Sequence, residues 1–199
     1  MSDSETKSQM VETRRVYTGK VVNLDVDMVR FPDGSVGPLE MIRHSGASAV
    51  LPILSDPREE DPDVLMIRQY RYAAGRRIYE VPAGRLDPGE TPVNCARREL
   101  LEETGCRAGR LEPMLPIFTT PGFTDEKIHL FIAWDLQRGA TEHEADEFIE
   151  LVPMPMSRAL QLVEEGEIVD AKTIVSLLYA WAFQNRQATS TPKSHSPRP

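Results

Sequence analysis

The sequence predicts a mixed α+β fold, in which sheets formed by separate groups of strands are covered by helices. Apolar, β-rich runs occur both before and after one sharply bounded helical segment near residues 92–104, and two further helical segments follow the last run. An order of strands, one helix, more strands and then helices favours a sandwich of mixed sheets over a doubly wound parallel sheet.

The composition is that of an ordinary globular protein, since 40% of its 199 residues are hydrophobic and 27% are charged. This length suits one main domain with a small appendage. The formal net charge of −8 argues against general binding of nucleic acid, which requires a basic surface. Two cysteines are too few for a disulfide framework, so we expect a cytoplasmic protein. We expect no membrane span, because no apolar run approaches roughly 20 residues. We also expect no signal peptide, because the N-terminal MSDSETKSQM is polar and lacks an apolar core.

The N-terminal part predicts a β-ribbon over residues 13–45, preceded by a disordered leader over residues 1–12. Pro32-Asp33-Gly34 is a typical hairpin turn, and a second strand is expected near residues 39–44. The strand before the turn carries alternating apolar residues that share one face: Val22, Leu24, Val26 and Met28. Because a lone ribbon is not stable, it is either the edge hairpin of one monomer or an arm that joins two chains.

The main domain is predicted over residues 46–186, and the proline-rich residues 187–199 are expected to be a disordered tail. Its strands are expected near residues 48–54, 64–70, 78–81, 111–119, 127–136 and 148–154. Helices are expected near residues 157–165 and 171–185, with Asp170 as the N-cap of the second. The predicted apolar face of that second helix is formed by Ile174, Leu177, Leu178 and Trp181.

The helix predicted over residues 92–104 has clear signals at both ends. Thr91 is a good N-cap, Pro92 suits the first helical position, and Gly105 is a natural stop. Val93, Ala96 and Leu100 are its predicted buried stripe.

Three glutamates of this helix, Glu99, Glu102 and Glu103, stand at positions i, i+3 and i+4 and therefore lie on one side. Like charges at this spacing destabilise a helix unless a cation compensates them. Arg98 offers part of that compensation, and Glu90 is its expected partner. From the spacing alone, a solvated acidic face with ordinary ion pairs is the alternative to a metal site. A site built from oxygen ligands alone favours Mg²⁺ or Mn²⁺ over zinc.

The polar and glycine residues of this region follow a fixed pattern: Gly84, five residues, Glu90, seven residues, Arg98-Glu99-Leu100, one residue, Glu102-Glu103, one residue and Gly105. The pattern resembles the Nudix box, the signature of Nudix hydrolases. Cys106 is the one departure, because a bulky aliphatic residue is usual there, and cysteine behaves as a small hydrophobe. The resemblance implies a Nudix α/β/α sandwich of mixed sheets with an N-terminal β-ribbon arm.

The resemblance also implies hydrolysis of a diphosphate that joins a nucleoside to another group, with Mg²⁺, or alternatively Mn²⁺, as cofactor. Glu99 and Glu103 would be the main metal ligands, Glu103 thereby being part of the catalytic apparatus. Glu102 would be an additional ligand, and the Ala83 carbonyl a backbone ligand. The residues with an implied structural role are Gly84, Glu90, Arg98 and Gly105.

Two segments outside the box resemble the ADP-ribose pyrophosphatase group of this family. Pro121 stands fifteen positions after Cys106, within PGFTDE, and RQYRYAAGRRIYEVPAG leads into the box. The resemblance covers most of residues 14–185 and implies conversion of ADP-ribose to AMP and ribose 5-phosphate. The alternatives are another nucleoside diphosphate sugar, such as GDP-mannose, or a regulator that binds a nucleotide without turnover. The implied substrate contacts are Arg71, Glu80, Arg43, Pro121 and Gly122.

The family carries its general base on a glutamate of the loop before the last strand. Glu147 matches that position in some relatives and Glu144 in others, and we favour Glu147. Relatives in this group are homodimers that exchange N-terminal strands, so the resemblance favours the arm interpretation of residues 13–45. Some relatives have an arginine where this chain has Leu39-Glu40, and Arg43 is the nearest substitute. Two aromatic residues of the ribbon are candidates to stack on the base: Tyr17 and Phe31.

Overall fold

The computed structural model describes residues 9–139 and 149–184, and the chain divides into two units. The first unit contains Met1–Gly46 and Ile117–Ile128, and the second contains Ala47–Pro116 and His129–Pro199. Within the described residues, sheets and three α-helices form a mixed α+β fold, as the sequence predicts.

The first unit contains a three-stranded antiparallel sheet in the order β1-β2-β3. Its strands are β1 (Gln9–Thr18), β2 (Asn23–Arg30) and β3 (Val36–Arg43). The turn predicted at Pro32-Asp33-Gly34 joins β2 to β3, and the Asp33 carboxylate accepts a hydrogen bond from the Ser35 N–H at 2.9 Å. The ribbon predicted over residues 13–45 is therefore a sheet with one more strand than expected.

Strand β1 differs from the prediction, because it begins at Gln9, inside the region assigned to a disordered leader. All ten of its residues are exposed, so the alternation of apolar and polar residues that reveals a half-buried strand is missing. The rest of that predicted leader, residues 1–8, lies outside the described part of the chain, as does the predicted tail.

The loop predicted to bind substrate, residues 119–126, belongs to the first unit and is paired with β3. The Ile42 N–H donates to the Phe123 carbonyl at 2.8 Å, and the Asp125 N–H donates to the Ile42 carbonyl at 3.3 Å. The Asp125 carboxylate also accepts a hydrogen bond from the His44 N–H at 2.8 Å. The loop is thus held to the ribbon by backbone and side-chain hydrogen bonds.

The second unit contains two sheets, with strand orders β10-β5-β6 and β7-β4-β9-β8. The first residues of β9 and the last residues of β8 belong to the first unit. The strands are β4 (Ala47–Pro52), β5 (Asp63–Arg71), β6 (Arg76–Glu80), β7 (Ala83–Arg85), β8 (Cys106–Phe118), β9 (Lys127–Arg138) and β10 (Ile149–Pro155).

Three α-helices complete the described part of the second unit: α1 (Pro92–Thr104), α2 (Met156–Glu164) and α3 (Ala171–Tyr179). Asp170 caps α3, as predicted, by accepting a hydrogen bond from the Thr173 N–H at 3.0 Å. The α-helix ends earlier than expected, because a π-helical turn, Ala180–Gln184, follows it. Its predicted apolar face is only partly buried, since Leu177 is buried whereas Leu178 and Trp181 are exposed.

A core cluster of the second unit packs helix α1 against strands of both sheets: Val50, Leu65, Ala96, Leu100, Cys106, Phe131 and Ala133. Cys106 belongs to this cluster, so the position where the Nudix box usually has a bulky aliphatic residue is filled by a buried thiol. Among the described residues, no helix has the length and apolarity needed to cross a membrane.

Candidate functional site

Helix α1 has the boundaries that its flanking residues predict. The Thr91 hydroxyl accepts a hydrogen bond from the Asn94 N–H at 3.3 Å, and Pro92 occupies the first turn. Gly105 has φ 69°, the left-handed conformation that glycine adopts without strain, and its N–H donates to the Leu101 carbonyl at 2.7 Å. The helix that carries the glutamates is therefore fixed at both ends by local interactions.

The buried face of α1 differs from the predicted stripe at one residue. Ala96 and Leu100 are buried as predicted, but Val93 is 44% exposed, and Cys95 is buried instead. The two outer glutamates lie at the margin of this face, where Glu99 is 8% exposed and Glu103 is 3% exposed. Carboxylates this buried require polar or cationic partners.

Gly84 allows the carboxylate of Glu99 to lie directly against the backbone of the preceding turn. A Cβ atom at this position would overlap both oxygens and the carboxyl carbon of Glu99. A residue with a side chain would therefore displace the glutamate, which explains physically why glycine stands here.

Arg98 joins the turn before α1 to the acidic side of the helix. Its guanidinium donates to the Glu90 carboxylate at 3.1 and 3.0 Å, to Glu99 at 2.6 Å, to Glu102 at 3.0 Å and to the Arg85 carbonyl at 2.9 Å. The pairing of Glu90 with Arg98 that the sequence predicts is thus present. The hydrogen bond from Arg98 holds the pKa of Glu90 below its usual value, and the same contact raises the pKa of Arg98.

The carboxylate of Glu103 accepts a hydrogen bond from the Ala83 N–H at 3.0 Å, so this glutamate contacts the backbone directly before Gly84. Across residues 9–139 and 149–184, no three acidic, histidine or cysteine side chains already surround a common ion position. Instead, Arg98 pairs with Glu99 and Glu102, while Glu103 faces Ala83. The donor set nevertheless fits a hard divalent cation, since it offers three carboxylates beside the Ala83 backbone and only oxygen atoms.

Arg71 and Glu80, both predicted to contact substrate, form an ion pair with each other. Arg71 Nε and Nη2 donate to the two oxygens of Glu80 at 2.6 and 3.0 Å. Glu80 is 2% exposed, whereas the Arg71 side chain remains 42% exposed. Burial alone would raise the pKa of Glu80, but the hydrogen bond from Arg71 and the charge of Lys172 keep that pKa below its usual value.

Lys172 was not predicted from the sequence to belong to the site. Its Nζ contacts Glu80 Oε2 at 2.5 Å and Asp170 Oδ1 at 3.0 Å. One signal was available: Lys172 stands in the first turn of a helix, where the helix dipole disfavours a cation, so a compensating carboxylate was to be expected.

The remaining predicted site residues lie in the first unit or outside the described residues. Arg43 pairs with Asp25, Asp27 and Asp125, of which Asp25 and Asp27 are buried. Two exposed residues of the loop at 119–126 also belong to the first unit: Pro121 and Gly122. Both candidates for the general base lie outside the described part of the chain: Glu144 and Glu147.

Comparison with known proteins identifies relatives over nearly the whole chain. The NUDIX domain model matches residues 45–177. The chain is 37% identical over 175 residues to a methanol dehydrogenase activator of Bacillus methanolicus, covering 87% of this chain and 92% of that protein. It is also 37% identical over 184 residues to an ADP-ribose pyrophosphatase of Bacillus subtilis, covering 92% of this chain and 97% of that protein. A GDP-mannose pyrophosphatase of Cronobacter sakazakii is 37% identical over 172 residues, covering 78% of this chain and 84% of that protein.

The fold is similar to that in the crystal structure of an ADP compounds hydrolase, with a TM-score of 0.78 over 94% of this chain and 98% of that one. The two sequences are only 22% identical, so this likeness concerns the fold alone. The family model, by contrast, spans helix α1, the turn at Gly84 and the ion pair between Arg71 and Glu80. The chain therefore belongs to the Nudix hydrolase family.

Proposed function

We propose that this chain is a Mg²⁺-dependent hydrolase that converts ADP-ribose and water to AMP and ribose 5-phosphate. The arrangement around α1 supports the proposal most directly. Three carboxylates stand on one helix beside a turn whose glycine leaves room for one of them, and two of the three are nearly buried. A solvated acidic face has no need for such burial. The similarity to an ADP-ribose pyrophosphatase over 92% of the chain supports the substrate.

Nudix hydrolases generally use divalent metal ions. Here Glu99, Glu102, Glu103 and the Ala83 carbonyl would hold Mg²⁺, with Mn²⁺ as the alternative. A bound divalent cation supplies neutralisation of the diphosphate charge and makes water easier to deprotonate. Arg98 pairs with two of these glutamates in the structure described here, so the protein itself compensates part of their charge.

The other residues would bind the substrate and move the proton. The exposed side of the Arg71 guanidinium suits a diphosphate oxygen, and the carboxylate of Glu80 fixes that guanidinium. The carboxylate of Glu147, or alternatively Glu144, would accept the proton of the attacking water. Hydrolysis then breaks one P–O bond of the diphosphate and leaves a phosphate on each product.

We also infer a cytoplasmic homodimer that exchanges its N-terminal arm. The first unit supports this inference, because its sheet exposes apolar side chains that a partner chain would cover: Met10, Val11, Val16, Tyr17, Val36 and Leu39. The two thiols, Cys95 and Cys106, are free, which fits a reducing compartment. Arg43, Pro121 and Gly122 remain proposed substrate contacts from this unit, although the pairing of Arg43 with three aspartates favours a role in holding the loop.

GDP-mannose is the second candidate substrate, because a GDP-mannose pyrophosphatase is as similar in sequence, over a smaller share of this chain. A regulator without turnover is disfavoured, since a protein that only binds a nucleotide has no need of all three glutamates.

A substrate panel tests the proposal. Purified protein is incubated with Mg²⁺ and either ADP-ribose or GDP-mannose, and the products are separated by chromatography. We expect AMP and ribose 5-phosphate from ADP-ribose at a rate well above that of GDP-mannose. Faster turnover of GDP-mannose would change the proposed substrate but not the proposed type of reaction.

The general base is tested by comparing Glu147→Gln with Glu144→Gln. We expect Glu147→Gln to lower kcat by about 10²–10⁴-fold, the usual contribution of such a base. The assignment is wrong if only Glu144→Gln loses kcat.

A further inference from the structure

The strongest unassigned feature of the second unit is a chain of alternating charges that ends at Arg71. Asp170 contacts Lys172 at 3.0 Å, Lys172 contacts Glu80 at 2.5 Å, and Glu80 contacts Arg71 at 2.6 Å. Three elements supply these residues, since Arg71 ends β5, Glu80 ends β6 and Lys172 lies in the first turn of α3.

The first turn of α3 is attached to the end of β6 through backbone as well as side chains. The Val81 N–H donates to the Thr173 hydroxyl at 2.9 Å, and that hydroxyl donates to the Asp170 carboxylate at 2.6 Å. The cap of α3 therefore holds the residue that directly follows Glu80, and Lys172 holds the carboxylate of Glu80 itself.

Lys172 is placed where it restricts rotation of the Glu80 carboxylate. Glu80 Oε2 accepts hydrogen bonds from both Lys172 Nζ and Arg71 Nη2, whereas Oε1 accepts one from Arg71 Nε. With donors on both oxygens and almost no exposure, the carboxylate has one favourable orientation. Without Lys172, Glu80 and the half-exposed guanidinium of Arg71 could turn together.

The position of Lys172 argues against a solvated surface role. Its side chain is 12% exposed, and a cation in the first turn opposes the helix dipole, so only its two carboxylates compensate for this placement. The hydrogen bond with Glu80 raises the pKa of Arg71, and the charge of Glu103 on α1 adds a smaller effect in the same direction.

We propose that Lys172 is a positioning residue that orients Arg71 toward the substrate diphosphate by fixing Glu80. The proposal rests on the function proposed above and adds a residue that acts on binding of the anionic substrate. Lys172 itself does not contact substrate.

The test compares Lys172→Met, Arg71→Ala and the double variant, with Lys172→Arg as the conservative variant. Lys20→Met, at an exposed residue of the first unit, is the matched control. KM and kcat are measured with ADP-ribose and Mg²⁺, and the dissociation constant of ADP-ribose is measured by calorimetry without metal. Thermal melting identifies variants that fail to fold, and Lys172→Gln replaces Lys172→Met if the latter unfolds.

We expect Lys172→Met to raise KM and the dissociation constant about tenfold, the scale of one charge-assisted hydrogen bond, with kcat within about twofold of wild type. Lys172→Arg restores most of the affinity, and Lys20→Met changes nothing. The double variant binds no more weakly than Arg71→Ala, because Lys172 acts only through Arg71.

Three results would overturn the proposal. If wild type hydrolyses ADP-ribose but Lys172→Met has the wild-type KM, Lys172 has no positioning role and the proposed function stands. If the effects of Lys172→Met and Arg71→Ala multiply in the double variant, Lys172 acts independently of Arg71 and does not position it. If wild type neither binds nor hydrolyses any nucleoside diphosphate sugar, the proposed function fails and this proposal fails with it. If wild type hydrolyses a nucleoside diphosphate sugar other than ADP-ribose, the same series of variants is measured with that substrate.

Discussion

Individual residues of the site are explained by contacts that are local and specific. Gly84 leaves the space that the Glu99 carboxylate occupies, and Arg98 links the turn before α1 to the glutamates. Glu80 is buried between two cations of different exposure. Each of these contacts predicts a measurable effect of a single substitution.

Replacement of Gly84 tests the close approach of Glu99. Because a Cβ would overlap the carboxylate, Gly84→Ala should destabilise the fold by about 1–3 kcal/mol and lower kcat strongly. Denaturant unfolding and turnover are the measurements. Gly166→Ala is the control, since that glycine has φ 74° and open space around it. It should cost about 1–2 kcal/mol through backbone strain and leave kcat unchanged; equal loss of kcat in both variants would contradict the explanation.

The Glu80 pair predicts a pH-dependent stability. The pKa of Glu80 in the fold lies below its usual value of 4.5, so its contribution is present above about pH 4.5 and is lost as the pH falls through the folded pKa. At pH 7, Glu80→Gln should therefore lower the free energy of unfolding by about 3 kcal/mol, because Lys172 and Arg71 lose their carboxylate. Unfolding of both proteins at several pH values measures this difference, which should shrink below pH 4.5. A difference that stays constant down to pH 3 would exclude this origin.

Secondary-structure elements differ in how much of their geometry the sequence contains. Helix α1 was predictable to the residue, because its N-cap, proline and terminal glycine act through neighbouring backbone groups. Its buried face was not fully predictable, since burial depends on which strands lie against the helix. Val93 is exposed and Cys95 is buried for that reason.

The buried face of α1 predicts a contrast between two truncations. Val93→Ala should change the free energy of unfolding by at most about 0.5 kcal/mol, because the side chain is half exposed. Leu100→Ala should cost about 2–5 kcal/mol, because it leaves a cavity in the core cluster. Urea denaturation measures both, and a larger cost at Val93 would reverse the assigned faces.

Much of the fold and the candidate site was predictable, and the exceptions have physical reasons. The spacing predicted that the three glutamates share one side of α1 and that Arg98 pairs with Glu90, because these residues are close in sequence. Lys172 was missed because its partner Glu80 is 92 positions away and only the tertiary fold joins them. Strand β1 was missed because both of its faces are exposed. The similarity of Arg71 and Glu80 to substrate-binding positions did not reveal that the two residues pair with each other.

At the scale of the whole molecule, the two units have different proposed tasks. The second unit contains the glutamates, Arg71 and Glu80, whereas the first contains the ribbon and the loop at residues 119–126. The exposed apolar residues of the ribbon suit a partner chain better than solvent.

The arm is tested by light scattering of the full chain and of a variant lacking residues 1–44. The full chain should have twice the mass of one chain, and the deletion should abolish the dimer or prevent folding, because strand β3 also holds the loop at residues 119–126. An active, stable monomer after the deletion would refute the exchanged arm.

The central claim is that the glutamates of α1 support metal-dependent hydrolysis of ADP-ribose, and product chromatography of wild type and Glu103→Gln tests it most directly. Wild type should release AMP and ribose 5-phosphate with Mg²⁺ and nothing after chelation of the metal. Glu103→Gln should lose most of this turnover while it remains folded, and Glu112→Gln, at an exposed residue of β8, should retain it. The absence of turnover of any nucleoside diphosphate sugar by folded wild-type protein, with either Mg²⁺ or Mn²⁺, would contradict the claim.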